Sequence, residues 1–250
     1  MLARTSLNAF GDMMNPRSGL DYGRFEALTF DCYGTLIDWE AGLTNAFRQI
    51  LAAHGIAQDD EDVLTRFASY EATAEGGPYQ TYRQVLAAGL RGVGGELGFE
   101  PSEEESAAFS GSVADWPAFP DSAAALARLK SRFRLGVITN CDNDLFAASN
   151  ERLGVEFEWI VTAQQLRSYK PAERNFTLAF DRIGLPRDQI LHVAQSLFHD
   201  HAPAQRLGMT TVWINRRQGR PGSGATPKAV ATPNATFPDM ASFAAAAVPR

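Results

Sequence analysis

Asp31 closes the apolar run Ala27-Leu-Thr-Phe, and a glycine and a threonine follow it in Asp31-Cys32-Tyr33-Gly34-Thr35. A carboxylate at such an edge can attack an electrophilic carbon or phosphorus, and the N–H groups of the turn behind it can hold an oxyanion. On its own, an Asp in that position is equally a turn former. A second apolar run stops at Ile138-Thr139-Asn140, a hydroxyl and an amide able to bind an anion or simply to cap a turn. Lys170, in Ser168-Tyr169-Lys170-Pro171, stands just ahead of a helical pattern, where the helix dipole disfavours a cation that nothing holds. A further run ends in Val193-Ala194-Gln195-Ser196-Leu197-Phe198-His199-Asp200 and brings a second carboxylate to the same kind of edge. One polar strand end is ordinary, but four in one chain point to a shared site.

Those ends belong to five short apolar runs, at 27–30, 135–139, 158–162, 190–194 and 210–215, that read as strands buried on both faces. Helical patterns at 122–132, 144–153, 171–183 and 201–207 separate the last four, three of them stopped by Gly154, Gly184 and Gly208. The alternation predicts a parallel sheet in an α/β, Rossmann-like doubly wound core. After the first strand comes a block that is nearly all helix, with amphipathic stretches at 39–54, 60–75, 79–93 and 102–112. The block reads as a helical cap domain, 39–116, over the strands' C-terminal ends, where open α/β sheets take ligands. The core is then 25–38 and 117–250. Residues 1–24 read as a leading extension with no expected order, and the Gly- and Pro-rich tail after Arg217 as a surface loop.

With these positions in hand, the chain resembles the haloacid dehalogenase superfamily, over about residues 25–217. The phosphatases of that superfamily carry Asp-x-Asp in the first motif and Gly-Asp-Ser in the last, as a proton donor and Mg²⁺ ligands. Here the matching residues are Tyr33 and, in Ala194-Gln195-Ser196, Gln195. Phosphoryl transfer needs a metal to neutralise charge and a route for the proton, and neither survives. Asp-x-Tyr-Gly-Thr looks instead like the type II (L-2-haloacid) dehalogenase branch. That resemblance implies metal-independent, cofactor-free hydrolysis of short 2-haloalkanoic acids to 2-hydroxy acids through an aspartyl ester. Asp31 would be the nucleophile, Lys170 the charge that keeps it ionised, and Asp200 the group that activates water. Thr35, Thr139, Asn140, Gln195 and Ser196 would position substrate and carboxylates, and Tyr33 would line the pocket.

A substrate carboxylate also needs a donor, best an arginine fork. Arg66 of the cap matches by spacing, with Arg48 and Arg83 as alternatives. Two departures stand against a simple transfer: Gln195 and Ser196 lie one residue further from Asp200 than in that branch, and Phe176 replaces a Tyr. His199-Asp200-His201 has the residue types of a metal site, but neighbours in sequence do not share a face, so no metal is expected. The competing readings are a phosphatase with a degraded Mg²⁺ site, a relative that opens another activated C2–leaving-group bond, and a binding protein that kept only the fold.

Composition fits a small-molecule enzyme. A net charge of −6 supplies neither a basic face for nucleic acid nor a polybasic patch for a membrane. No apolar run approaches the roughly 20 residues that span a bilayer. Cys32 and Cys141 make no disulfide framework and read as a cytoplasmic protein. The resemblance further suggests a homodimer.

Overall fold

A computed structural model of the chain describes residues 19–220 and 224–249. Its centre is a six-stranded, all-parallel sheet: β1 (Ala27–Phe30), β2 (Arg134–Thr139), β3 (Trp159–Thr162), β4 (Ile190–Ala194), β5 (Thr210–Ile214) and β6 (Ala235–Phe237). The order is β3-β2-β1-β4-β5-β6. The doubly wound arrangement expected from the alternating runs is therefore met. The strand order reverses at β1, which pairs with β2 on one side and β4 on the other. A crevice opens at such a reversal, just past the strands' C-terminal ends.

Four helices follow β1: α1 (Trp39–Ala53), α2 (Asp60–Gly76), α3 (Tyr82–Leu97) and α4 (Glu103–Gly111). Then α5 (Ser122–Lys130) leads into β2, and between the later strands run α6 (Asn143–Leu153), α7 (Ala163–Leu166), α8 (Glu173–Ile183) and α9 (Ala202–Arg206). Alternation along the strands sends Leu135 and Val137 into one apolar cluster with α5 and α6, and Ile138 into another with Phe176, Phe180 and Ile183 of α8. Both faces of the sheet are thus covered by helix.

The four inserted helices form their own layer. Phe47, Phe67 and Phe109 meet edge to face with centroids 4.6 to 6.1 Å apart, and each such contact adds roughly 0.5–1.5 kcal/mol beyond area burial. Gly89 lets α3 approach α2, because a Cβ there would sit 2.5 Å from the Phe67 ring. The chain enters this layer beside the point where it returns: Asp38 N donates to Pro117 O at 2.8 Å, and Ile37 bridges Ala118.

The tail departs from the surface loop expected after Arg217. Residues 235–237 add β6 to the sheet edge beside β5, and α10 (Met240–Ala247) follows, burying Met240 and Phe243. Three strand residues are too few to show a period, and Met-Ala-Ser-Phe-Ala-Ala-Ala-Ala has no polar stripe to mark a helix face. Residues 1–18 lie outside the described residues, while Tyr22 is buried against Phe243 with centroids 6.1 Å apart. Among the described residues no helix is long and apolar enough to cross a membrane.

Candidate active site

Asp31 is the first residue past β1, and its N–H still donates to Val193 O, so the end of β4 holds it at the crevice. The turn behind it needs a left-handed residue, which Gly34 supplies with φ +90°. That turn brings Thr35 back under the carboxylate: Thr35 Oγ1 donates to Asp31 Oδ2 at 2.6 Å and itself accepts Gln195 N–H at 2.9 Å.

Lys170 reaches the same point from beyond β3. Its ammonium donates to Asp31 Oδ1 at 2.8 Å, Asp200 Oδ1 at 2.7 Å and Ile138 O at 2.9 Å, which uses all three N–H groups. Asn140, past the end of β2, clamps the Lys170 backbone: Lys170 N donates to its Oδ1 at 2.7 Å and its Nδ2 donates to Lys170 O at 2.9 Å. Asp200 lies in a π turn, Leu197–His201. His192 of β4, fully buried, reaches Asp200 Oδ1 at 2.9 Å through Nε2 and Thr29 Oγ1 at 2.9 Å through Nδ1. Asp200 Oδ2 is buried with no hydrogen-bond partner.

The electrostatics follow from two carboxylates sharing one ammonium out of water. Burial opposes the Lys170 charge, but Asp200 and Asp31 outweigh it and lift the ammonium above the ordinary lysine range. Burial also acts on Asp200, yet Lys170 and His192 hold it well below the usual carboxylate range. For Asp31 burial prevails over Lys170, and the Asp200 charge adds to it, so its carboxyl titrates above the usual range. Asp200 ionises first, and Asp31 is the more basic, more nucleophilic of the two.

The chamber around Asp31 has a volume of about 30 Å³. The core contributes Tyr33, Asn140, Lys170, Ser196, His199 and Asp200 to its wall, and the tail contributes Thr226. The inserted helices add Trp39, Glu71, Glu75 and Tyr82. Tyr33 Oη meets Ser149 Oγ at 3.0 Å, its ring edge-on to Trp116. Ser196 Oγ accepts His199 N–H at 2.9 Å and so caps the π turn. Gln195 contributes its backbone, donating to Thr35 and accepting Trp213 Nε1–H at 2.8 Å. Thr139 Oγ1 is buried with no hydrogen-bond partner. Phe176 packs edge-on to the His192 ring at 5.3 Å.

Arg66 is not brought to the chamber. It pairs with Glu96 on the outside of the cap, because position 66 lies on the face of α2 turned toward the end of α3. The alternatives also face outward, Arg48 to Asp60 and Arg83 to Asp144 at 2.6 Å. Instead, the cap presents two carboxylates. Tyr82 Oη donates to Glu71 Oε1 at 2.9 Å, and Asn140 Nδ2 lies 3.2 Å from each oxygen of Glu75. Burial, with the Glu75 charge adding, pushes Glu71 up to about 8. Burial alone pushes Glu75 up to about 8, against Lys170 and Asn140. Their i, i+4 spacing on α2 is the signal that could have found them. His199 Nε2 stands 3.5 Å from Glu75 Oε2 without a hydrogen bond, and burial lowers its pKa.

The donor set does not suit a divalent cation. The two carboxylates nearest each other are bridged by Lys170, and Tyr33 and Gln195 stand where the resemblance sets the phosphatases' proton donor and their Mg²⁺-binding Asp. What the arrangement can do is hold one carboxylate for attack and a second, with a free oxygen, for water.

Known proteins bear on this geometry. The (S)-2-haloacid dehalogenase of Pseudomonas fluorescens is 27% identical over 201 residues, covering 78% of this chain and 86% of that protein. The 5-amino-6-(5-phospho-D-ribitylamino)uracil phosphatase of Escherichia coli strain K12 is 27% identical over 214 residues, 79% of this chain and 86% of its own length. The structure of L-2-haloacid dehalogenase from Xanthobacter autotrophicus shares the fold, with TM-score 0.73 at 20% identity, covering 88% of this chain and 97% of that one. A family model described as haloacid dehalogenase-like hydrolase matches residues 25–206, and the chain belongs to that family of hydrolases.

Proposed function

We propose that the protein opens a carbon–halogen bond at C2 of a short 2-halo compound without a metal, with the 2-haloalkanoic acids of its relatives as the reference substrates. The observation that carries this reading is Lys170 bridging Asp31 and Asp200 at 2.8 and 2.7 Å. A bridge of that kind neutralises the nucleophile's surroundings while excluding Mg²⁺ from between the carboxylates.

In the first step an Asp31 oxygen attacks C2 from the side opposite the halogen, and halide leaves with the bonding pair. A halide needs no proton from the protein, which fits Tyr33 in place of an acid. In the second step Asp200 Oδ2 accepts a proton from water as that water attacks the ester carbonyl of Asp31. The bond between that carbonyl carbon and the ester oxygen, which came from Asp31, breaks. That oxygen takes the second proton of the attacking water and leaves as the hydroxyl of the product, the Asp31 carboxylate is restored with one oxygen from water, and the proton on Asp200 passes to solvent. The phosphatase reading, raised by the E. coli relative, is disfavoured by Tyr33 and Gln195.

Single turnover in oxygen-18 water tests the proposal. Label is expected in the peptide containing Asp31; label confined to the product would mean that water attacks the substrate itself. Halide release from a panel of chloroacetate, 2-chloropropionate and their amides is expected to be unaffected by EDTA. No release from any member by folded protein would overturn the reading.

A further inference from the structure

We infer that His192 is the positioning residue of the hydrolytic step: it fixes the Asp200 carboxylate so that Oδ2, and not Oδ1, takes the proton of the attacking water. The inference rests on the reading of Asp31 as nucleophile and Asp200 as the group that activates water. It deepens that reading by assigning to one of the two steps a residue that the other does not need.

Strand register brings His192 to this place. β1 and β4 pair with Thr29 opposite His192, so both side chains leave the sheet on one face. Their neighbours Leu28, Phe30, Leu191 and Val193 join the apolar cluster on the other face. On the His192 face, Phe176 of α8 packs edge-on to the ring with centroids 5.3 Å apart and offers no polar atom. His192, Thr29 and Phe176 are all fully buried. A polar ring in such a layer is costly unless both nitrogens are satisfied. Both are: Nδ1 meets Thr29 Oγ1 and Nε2 meets Asp200 Oδ1, each at 2.9 Å. Satisfaction alone would suit a purely structural histidine. The choice of partner goes beyond it.

Asp200, ionised beside Lys170, can only accept, so Nε2 carries a hydrogen and donates it. Lys170 Nζ donates to the same oxygen at 2.7 Å. Two donors on Oδ1 hold the carboxylate against rotation about its Cβ–Cγ bond. Oδ2 is left buried with no hydrogen-bond partner, on a residue that lines the chamber together with Asp31. That is the acceptor a water attacking the ester requires. With Lys170 alone on the carboxylate, either oxygen could turn toward the water. Burial opposes the Asp200 charge, and Lys170 and His192 outweigh it, so the base stands ionised. The two other imidazoles nearby are committed elsewhere. His199 Nδ1 meets Ser196 Oγ at 3.2 Å, and His201 Nε2 meets Ala194 O at 2.9 Å. The nucleophile is held by a different set, Thr35 and Lys170. Among the described residues His192 hydrogen-bonds to neither Asp31 nor Lys170. Its loss is therefore felt when the ester is hydrolysed and not when it forms.

The test follows the two steps separately. Native protein, His192→Phe, His192→Gln and Thr29→Val are mixed with 2-chloropropionate in single turnover and quenched at intervals. Mass analysis of the peptide containing Asp31 then gives the rates of ester formation and ester decay. In His192→Phe decay is expected to slow by about tenfold or more, the scale of a misplaced general base, while formation stays within about threefold. Gln keeps an N–H donor for Asp200 and is expected to recover most of the decay rate. Formation and decay slowed together would mark a structural histidine and overturn the inference, as would unchanged decay or a Gln variant no better than Phe. If His192→Phe does not fold, Thr29→Val carries the test, because it frees the ring's far side and leaves the chamber lining untouched. Slower decay with formation kept supports the inference there, and any other pattern overturns it. A native protein that forms no ester on Asp31 would fail the carbon–halogen reading instead. Nitrogen-15 spectra of native protein then decide the inference without turnover: a hydrogen-bonded proton on His192 Nε2 is expected, and a bare Nε2 overturns it.

Discussion

Lys170 and its two carboxylates form a buried network in which each member is costly to leave alone. Removing the ammonium in Lys170→Met leaves Asp31 and Asp200 facing each other, and breaking a buried pair in this way costs about 3–5 kcal/mol. Two outcomes are expected together: loss of turnover, followed by halide release, and a large fall in melting temperature. Asp31→Asn removes one negative charge instead, so its activity is expected to vanish with the fold kept, as read by circular dichroism. The cap carboxylates set a pH dependence of the opposite kind. Glu71 and Glu75 titrate at about 8 in the fold against an ordinary 4.5, so the folded state holds more protons between those values. Their stabilising share is complete below about pH 4.5 and is lost as pH rises toward 8, at most about 1.4 kcal/mol per pH unit for each group. Melting temperature measured from pH 5 to 8 is expected to carry this downward slope, and Glu71→Gln/Glu75→Gln should flatten it.

Helix ends decide where the cap meets the core. Asp142, just past β2, accepts the N–H groups of Tyr82 and Arg83 at 3.0 and 3.1 Å, so a core residue caps the start of α3. Thr81 and Gln84 complete the same N-terminus with a capping box. Asp142→Ala is expected to cost about 1–2 kcal/mol by thermal melting, the usual size of a lost cap. Because Tyr82 lines the chamber and holds Glu71, the KM is expected to rise more than kcat falls. The sequence shows the capping box and the helix but cannot show that a second cap arrives from a residue 59 or 60 positions away.

Across the whole molecule, the tail links cap to core. Arg217, past β5, reaches Glu40 of α1 at 2.5 Å and Glu61 of α2 at 2.8 Å. Gly224 and Ala225 N–H groups add bonds to Glu61 and Glu40 at 3.2 and 3.3 Å, and Thr226 follows into the chamber wall. Arg217→Ala is expected to cost about 2 kcal/mol for a half-buried network, or roughly 4–8 °C in a chain of this size. Hydrogen exchange is expected to rise in α1 and α2 while β1 and β4 stay protected, since the sheet's own bonds are untouched.

Much of this protein is legible in its residues alone. The apolar runs, their alternation with helical patterns and the long helical insertion specify a parallel sheet with a cap, because burial on both faces imposes those patterns. The polar strand ends identify Asp31, Asn140, Lys170 and Asp200 as neighbours, because strands of one parallel sheet end at one edge. The direction in which a cap helix presents its side chains was left to tertiary structure. The rotation of α2 depends on Phe67 packing over Gly89, and it turns Glu71 and Glu75 inward and Arg66 out. His192 behind Asp200 and the tail strand beside β5 were equally invisible, since their roles consist of contacts between segments distant in sequence. Asp31 was readable as a carboxylate at a strand end; the charges that surround it, and hence what it can receive, come only from how the cap is set upon the core.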